Sequence, residues 1–144
     1  MEQRLSLVTL GCDDLATART FYASLGWHEG GPSGEAVAFY QLGNIILGLW
    51  DRAELAAEAG VPDTPGDVRG FAGIALAHNV REQGEVDTVL AAAAAAGCRV
   101  LKPGEERFWD GYSGYFADPE GHVWEVAWNP HFPIADDGAI GLPG

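Results

Sequence analysis

The chain has 144 residues, 47% hydrophobic and 20% charged, which is one-domain length and rules out extended disorder. Its formal net charge is −13 with only 8 Lys plus Arg, which argues against nucleic acid and acidic lipid surfaces as partners. The same charge either favours neutral or cationic ligands or serves solubility alone.

The first residues lead straight into a strand pattern, without the basic and apolar regions of a signal peptide. The longest apolar run, Val89 to Ala96, is far short of a membrane span. Cys12 and Cys98 lie far apart and fit no metal or redox spacing. A soluble, cytoplasmic chain is the expectation.

Leu5 to Leu10 alternates as a half-buried strand, with Leu5, Leu7 and Thr9 on one side. Asp13 or Asp14 is placed to cap a helix carrying Leu15, Ala18, Tyr22 and Leu25, and Gly26 suits its left-handed C-cap. Trp27 starts a second strand, Gly30 to Gly34 a turn, Ala36 to Leu42 a third strand and Ile45 to Trp50 a fourth. Residues 51–70 read as a helical turn or two followed by a Gly- and Pro-containing linker. The first pattern then returns: a strand over Phe71 to Ala77, a helix over Glu85 to Ala96 with Val86, Val89, Leu90 and Ala93 inward, and a short strand over Cys98 to Leu101.

The stretch Gly111 to Pro130 reads as a tight β-hairpin. Asp118-Pro119-Glu120-Gly121 has the residues of a type I turn, flanked by aromatic and β-branched runs. In its second strand His122, Trp124, Val126 and Trp128 share an apolar face fit to pack against helices. Val123, Glu125 and Ala127 share the other. Leu25-Gly26-Trp27 matches Ala96-Gly97-Cys98, each a helix end turning into a strand, so the chain is a tandem repeat of one βαβββ module. Residues 4–50 form module 1, 71–130 module 2 and 131–144 a tail, within a single domain over 1–144.

Leu7 to Trp27 (LVTLGCDDLATARTFYASLGW) and Phe116 to Pro130 (FADPEGHVWEVAWNP) resemble the vicinal oxygen chelate superfamily of glyoxalases, extradiol dioxygenases and bleomycin- and fosfomycin-resistance proteins. The resemblance implies an α+β, glyoxalase-like fold. Two βαβββ modules form a curved mixed sheet whose concave side holds the ligand and whose convex side carries helices. It also implies four metal positions, which fall on Leu7, Gly48, Gly73 and Glu125. A divalent ion wants three or more N or O ligands, so one carboxylate among Leu, Gly and Gly points to a member without a metal or other cofactor.

The presumed concave face holds Leu5, Leu7, Thr9, Ile46, Gly48, Trp50, Gly73, Ala75, Ala77, Val123, Glu125 and Ala127, a mainly apolar floor with one polar anchor. Glu125 is the candidate catalytic acid or base, or a carboxylate that orders water or pairs with an Arg. Trp50, Leu7 and Thr9 are candidate ligand contacts. His78 joins them if the end of its strand turns toward the cup, although its period places it with Ile74 and Leu76 on the helix side. His122 reads as packed, and His28 and His131 as surface. In the loop Glu105 to Gly114, Phe108, Trp109 and Tyr112 offer stacking surfaces for a flat or cationic ligand, with Asp110 a further polar candidate. The loop serves equally as a core anchor or a dimer contact.

Two functions stay open. One is a metal-free protein that binds a small organic molecule in an apolar, aromatic-lined cup, as bleomycin-resistance proteins do. The other is a glyoxalase-like isomerase or lyase using Glu125 as base or metal ligand. The resemblance adds the expectation of a homodimer.

Overall fold

The computed structural model describes residues 1, 3, 5–31, 33–63 and 71–142. The later part of the expected linker, the first residue of the expected module 1 and the last two of the tail lie outside the described residues. The fold is α+β, and the described residues form three helices and two sheets of three and four strands. The chain divides into two compact units, Met1–Gly73 and Ile74–Gly144, each holding one sheet. No described helix is long and apolar enough to cross a membrane.

In the first unit β1 (Leu7–Cys12), β2 (Val37–Leu42) and β3 (Ile45–Asp51) form a sheet ordered β1-β3-β2. β1 runs parallel to β3, while β2 pairs with it antiparallel across the Gly43-Asn44 turn. α1 (Leu15–Ser24) starts where Asp14 accepts from the Thr17 amide and hydroxyl, which hold its carboxyl below the usual range. Gly26, at φ 86°, turns the chain out of the helix. α1 buries Ala18, Phe21 and Tyr22, and Tyr22 stacks on Trp27 at 5.1 Å between ring centroids. Leu10, Cys12, Ala38, Tyr40, Leu47 and Leu49 complete this core. Each large side chain there contributes about 1.5–3 kcal/mol of burial.

The strand expected at Trp27 is absent among the described residues, so this unit has three strands where four were expected. The Trp27 amide bonds back to Tyr22 in the helix-end turn, and Gly31, at φ 61°, bends the segment. A glycine-rich stretch does not sustain a ladder. The helical turn expected after β3 is α2 (Arg52–Ala59), capped by Asp51 and closed by Gly60 at φ 68°.

In the second unit β4 (Ala75–Val80), β5 (Arg99–Glu106), β6 (Tyr112–Ala117) and β7 (Val123–Trp128) are ordered β4-β7-β6-β5. α3 (Gln83–Ala95) lays Val86, Leu90 and Ala93 onto the sheet face of Phe116, Trp124 and Val126. The predicted hairpin is present: Asp118 Oδ1 accepts from the amides of Glu120 (3.0 Å) and His122 (2.8 Å), locking the turn. Gly114 is needed where α3 crosses, since a Cβ there would lie 2.5 Å from Leu90 Cδ1. β4 starts later than expected, at Ala75, and β5 runs on to Glu106, which shortens the expected loop to the turn 107–111. The Arg81 guanidinium fastens the tail by donating to the carbonyls of Ile134 (2.7 Å) and Ala135 (2.6 Å).

Candidate functional site

On the first unit's sheet the face turned away from the α1 core carries Leu7, Thr9, Ile46, Gly48 and Trp50, as the period of two predicted. The register sets Leu7 opposite Ile46 and Thr9 opposite Gly48. β2 adds Phe39, directly across from Gly48. The Phe39 ring lies against that glycine: a Cβ on Gly48 would be 3.3 Å from Phe39 Cε1 and 3.4 Å from the Thr9 hydroxyl. Beside it opens a shallow groove of about 220 Å³, lined by Leu7, Phe39, Ile46, Tyr40, Gln41 and the backbone of Gly30 and Gly31. Its walls are largely hydrocarbon and aromatic. Tyr40 is buried, and desolvation followed by the nearby Glu29 charge pushes its phenol up to about 12. Trp50 is tied down instead, donating its indole N–H to Glu54 of α2 at 2.8 Å.

On the second unit's sheet the face opposite α3 carries Glu125 with Ala77 and Ala75 alongside on β4 and Tyr115 across on β6. The Tyr115 hydroxyl donates to Glu125 Oε1 at 2.8 Å. Desolvation, and then the bond to this carboxylate, raise the Tyr115 pKa, so the phenol stays protonated and remains a donor. Arg107 lies over the Tyr115 ring at 5.7 Å from its centroid. Each of its guanidinium nitrogens makes a bond: Nε donates to the Ser113 hydroxyl (2.8 Å), Nη2 to the Ser113 carbonyl (2.9 Å) and Nη1 to Glu105 (2.6 Å). Glu105 thus balances Arg107, and its own carboxyl is held low, first by the Lys102 hydrogen bond and then by the two cations. Glu125 faces small apolar neighbours, with a phenol as hydrogen-bond partner.

Several predicted contacts are placed elsewhere. His78 pairs with Val126 and so faces α3, where the surrounding protein holds its imidazole below the usual histidine range. Tyr112 also faces α3, its hydroxyl 3.2 Å from Asp87 Oδ2. Neither shares the Glu125 face. The Trp109 ring folds back over Gly111, where an added Cβ would lie 1.5 Å from Cζ3. Phe108 is 98% exposed at the tip of its turn. Asp110, at φ 64°, stands 4.0 Å from His131.

The four positions implied for a metal supply one carboxylate; its face neighbours Ala75, Ala77, Val123 and Ala127 carry no donor, and Tyr115 and Ser113 offer only hydroxyls already engaged with Glu125 and Arg107. At Gly48 the Phe39 ring and the Thr9 hydroxyl crowd the space a side chain would need. Among the described residues no group of three or more His, Cys, Asp or Glu could hold an ion. The donor set does not fit a tightly bound metal.

The family model described as Glyoxalase/Bleomycin resistance protein/Dioxygenase superfamily matches residues 4–126. A glyoxalase-related enzyme from Fulvimarina pelagi is 36% identical, with a TM-score of 0.87 and 99% of each chain covered. A lactoylglutathione lyase from Agrobacterium tumefaciens is 24% identical (TM-score 0.66, covering 89% of this chain and 95% of that one). A glyoxalase/bleomycin resistance protein/dioxygenase family enzyme from Burkholderia phytofirmans PsJN is 23% identical (TM-score 0.72, covering 85% and 96%). The last two likenesses concern the fold alone. Among curated proteins no match was found.

Proposed function

This chain belongs to the glyoxalase/bleomycin resistance protein/dioxygenase superfamily, and from that premise we propose that it binds a small, mainly apolar organic molecule, neutral or cationic, without a metal ion. The observation that carries this reading is the Phe39 ring seated against Gly48. Where the family's pattern calls for a metal-binding side chain, this chain has an aromatic floor beside a groove. Apolar walls with a few polar groups are the ordinary make-up of a small-molecule site. The acidic chain, at −13, disfavours anionic ligands at either face. Cytoplasmic residence and a homodimer belong to the same proposal, the second checked by light scattering.

The test is a thermal-shift screen of chelator-treated protein against neutral and cationic aromatic compounds, with thiol–aldehyde adducts in parallel. Stabilisation of several degrees by the aromatics alone supports binding. Turnover of an adduct by the chelated protein would overturn it.

One observation favours the second reading, an isomerase or lyase: Glu125 is braced by the Tyr115 phenol, with Ala75, Ala77, Val123 and Ala127 around it. A carboxylate so held can take a proton from a carbon or hydroxyl acid placed within hydrogen-bond reach. The superfamily's isomerases and lyases add an electrophile, a role a metal ion would fill. With Leu7 and Gly48 in place of ligands, binding ranks first.

A further inference from the structure

The groove's outer wall is the segment around Gly30 and Gly31, and this segment has no regular secondary structure. Among the described residues its backbone meets β2 through two bonds, Gly30 N–H to the Phe39 carbonyl and Gly34 N–H to the Val37 carbonyl, both 2.9 Å. Side chains supply the remaining restraint. Ser33 donates its hydroxyl to the Gly30 carbonyl and accepts from the Phe39 amide, each at 2.9 Å. From α1, Arg19 reaches across: its Nη2 donates to the carbonyls of Gly34 and Val37, the latter at 2.8 Å, and its Nε lies 3.4 Å from the Glu29 carboxylate.

We propose that Arg19 is a positioning residue for this groove, its guanidinium holding the described wall residues Gly30, Gly31, Ser33 and Gly34 at a fixed distance from the Phe39 floor. The inference rests on the binding function proposed above and adds what sets the groove's shape. A strand ladder would fix such a wall by repeated backbone bonds, and here two backbone bonds, the Ser33 hydroxyl and the Arg19 guanidinium take its place. The guanidinium touches both ends of the segment: Nη2 donates to the Gly34 and Val37 carbonyls after the wall, and Nε faces the Glu29 carboxylate before it as an ion pair at 3.4 Å. A lysine ammonium, a point charge on a flexible stem, can face the two carbonyls or Glu29 but does not hold both sides from one rigid planar group. With Arg19 lost, the wall keeps its Ser33 and backbone bonds to β2 but has no tie to the helix, so the groove widens and an apolar ligand loses contact on one side.

The test uses the full chain and the neutral apolar dye Nile red. Arg19→Met and Arg19→Lys are compared with wild type for dye affinity, dye emission wavelength and amide hydrogen exchange at Gly30 and Leu49. Arg19→Met is expected to weaken the dye about tenfold and red-shift its bound emission. Gly30 exchange rises, while exchange at Leu49, in the core of β3, is unchanged. Arg19→Lys falls between and keeps the claim testable if the methionine variant does not fold. Wild-type affinity together with wild-type Gly30 protection in both variants would overturn the proposal. If wild type binds no dye, the function proposed above fails, and Gly30 exchange alone still decides whether Arg19 holds the wall.

Discussion

The Tyr115 hydroxyl and the Glu125 carboxylate meet at 2.8 Å across the β6–β7 pair, on the sheet face that α3 does not cover. The bond is part-buried, so removing the phenol oxygen in Tyr115→Phe should cost about 1 kcal/mol of stability. Urea denaturation of Tyr115→Phe, Glu125→Ala and the double variant measures it. A coupling of about 0.5 kcal/mol or more is expected between the two sites. Strict additivity would mean that the contact contributes nothing.

Two glycines should respond differently to alanine. At Gly114 the new Cβ meets Leu90 at 2.5 Å and the backbone of Gly104 and Lys102 at 2.9 Å, and backbone cannot step aside. At Gly48 it meets only the Phe39 ring and the Thr9 hydroxyl, at 3.3 and 3.4 Å. Gly114→Ala should therefore cost about 3 kcal/mol or more and Gly48→Ala about 1 kcal/mol, read from chemical denaturation. Equal costs would contradict the packing described.

Tyr40 ties stability to alkaline pH. Its phenol is raised from 10 to about 12, first by burial and then by Glu29. In the unfolded chain it ionises near its ordinary value, so the folded state holds the proton longer. The stability this gives is complete below pH 10 and is lost as pH rises through about 12. Melting temperature should fall more steeply over that window in wild type than in Tyr40→Phe, a difference of roughly 2 kcal/mol. Parallel profiles would refute the assignment.

The hairpin turn depends on Asp118, which is buried and accepts from the Glu120 and His122 amides. Asp118→Ala strands both donors and should cost about 2 kcal/mol, whereas Asp118→Asn keeps an acceptor and should recover most of it. Denaturation midpoints of the two variants compare them directly.

Much of this geometry follows from pattern alone. With the turn at Asp118 to Gly121 and Gly121, at φ 84°, as its bulge residue, Asp118 pairs with His122 and Tyr115 falls opposite Glu125; the Gly43-Asn44 turn sets Phe39 opposite Gly48. Both partners are legible only from cross-strand pairing, since the period of two within one strand assigns faces but not neighbours. Arg107 and Arg19 had no comparable signal. One sits in a tight turn and the other on a helix surface, and their roles come from long side chains reaching acceptors that periodicity does not locate. The strand expected at Trp27 failed for a local reason: the aromatic that suggested a strand packs on Tyr22 at the helix end. His78, in contrast, faces the helix side as its period indicated.

Elemental analysis of the untagged protein, purified without chelator and then dialysed against zinc, manganese or nickel, tests the central claim most directly. With Leu7 and Gly48 offering no donor and Glu125 bonded to Tyr115, bound metal should stay well below one ion per chain and be the same in Glu125→Gln. One ion per chain, lost in Glu125→Gln, would contradict it.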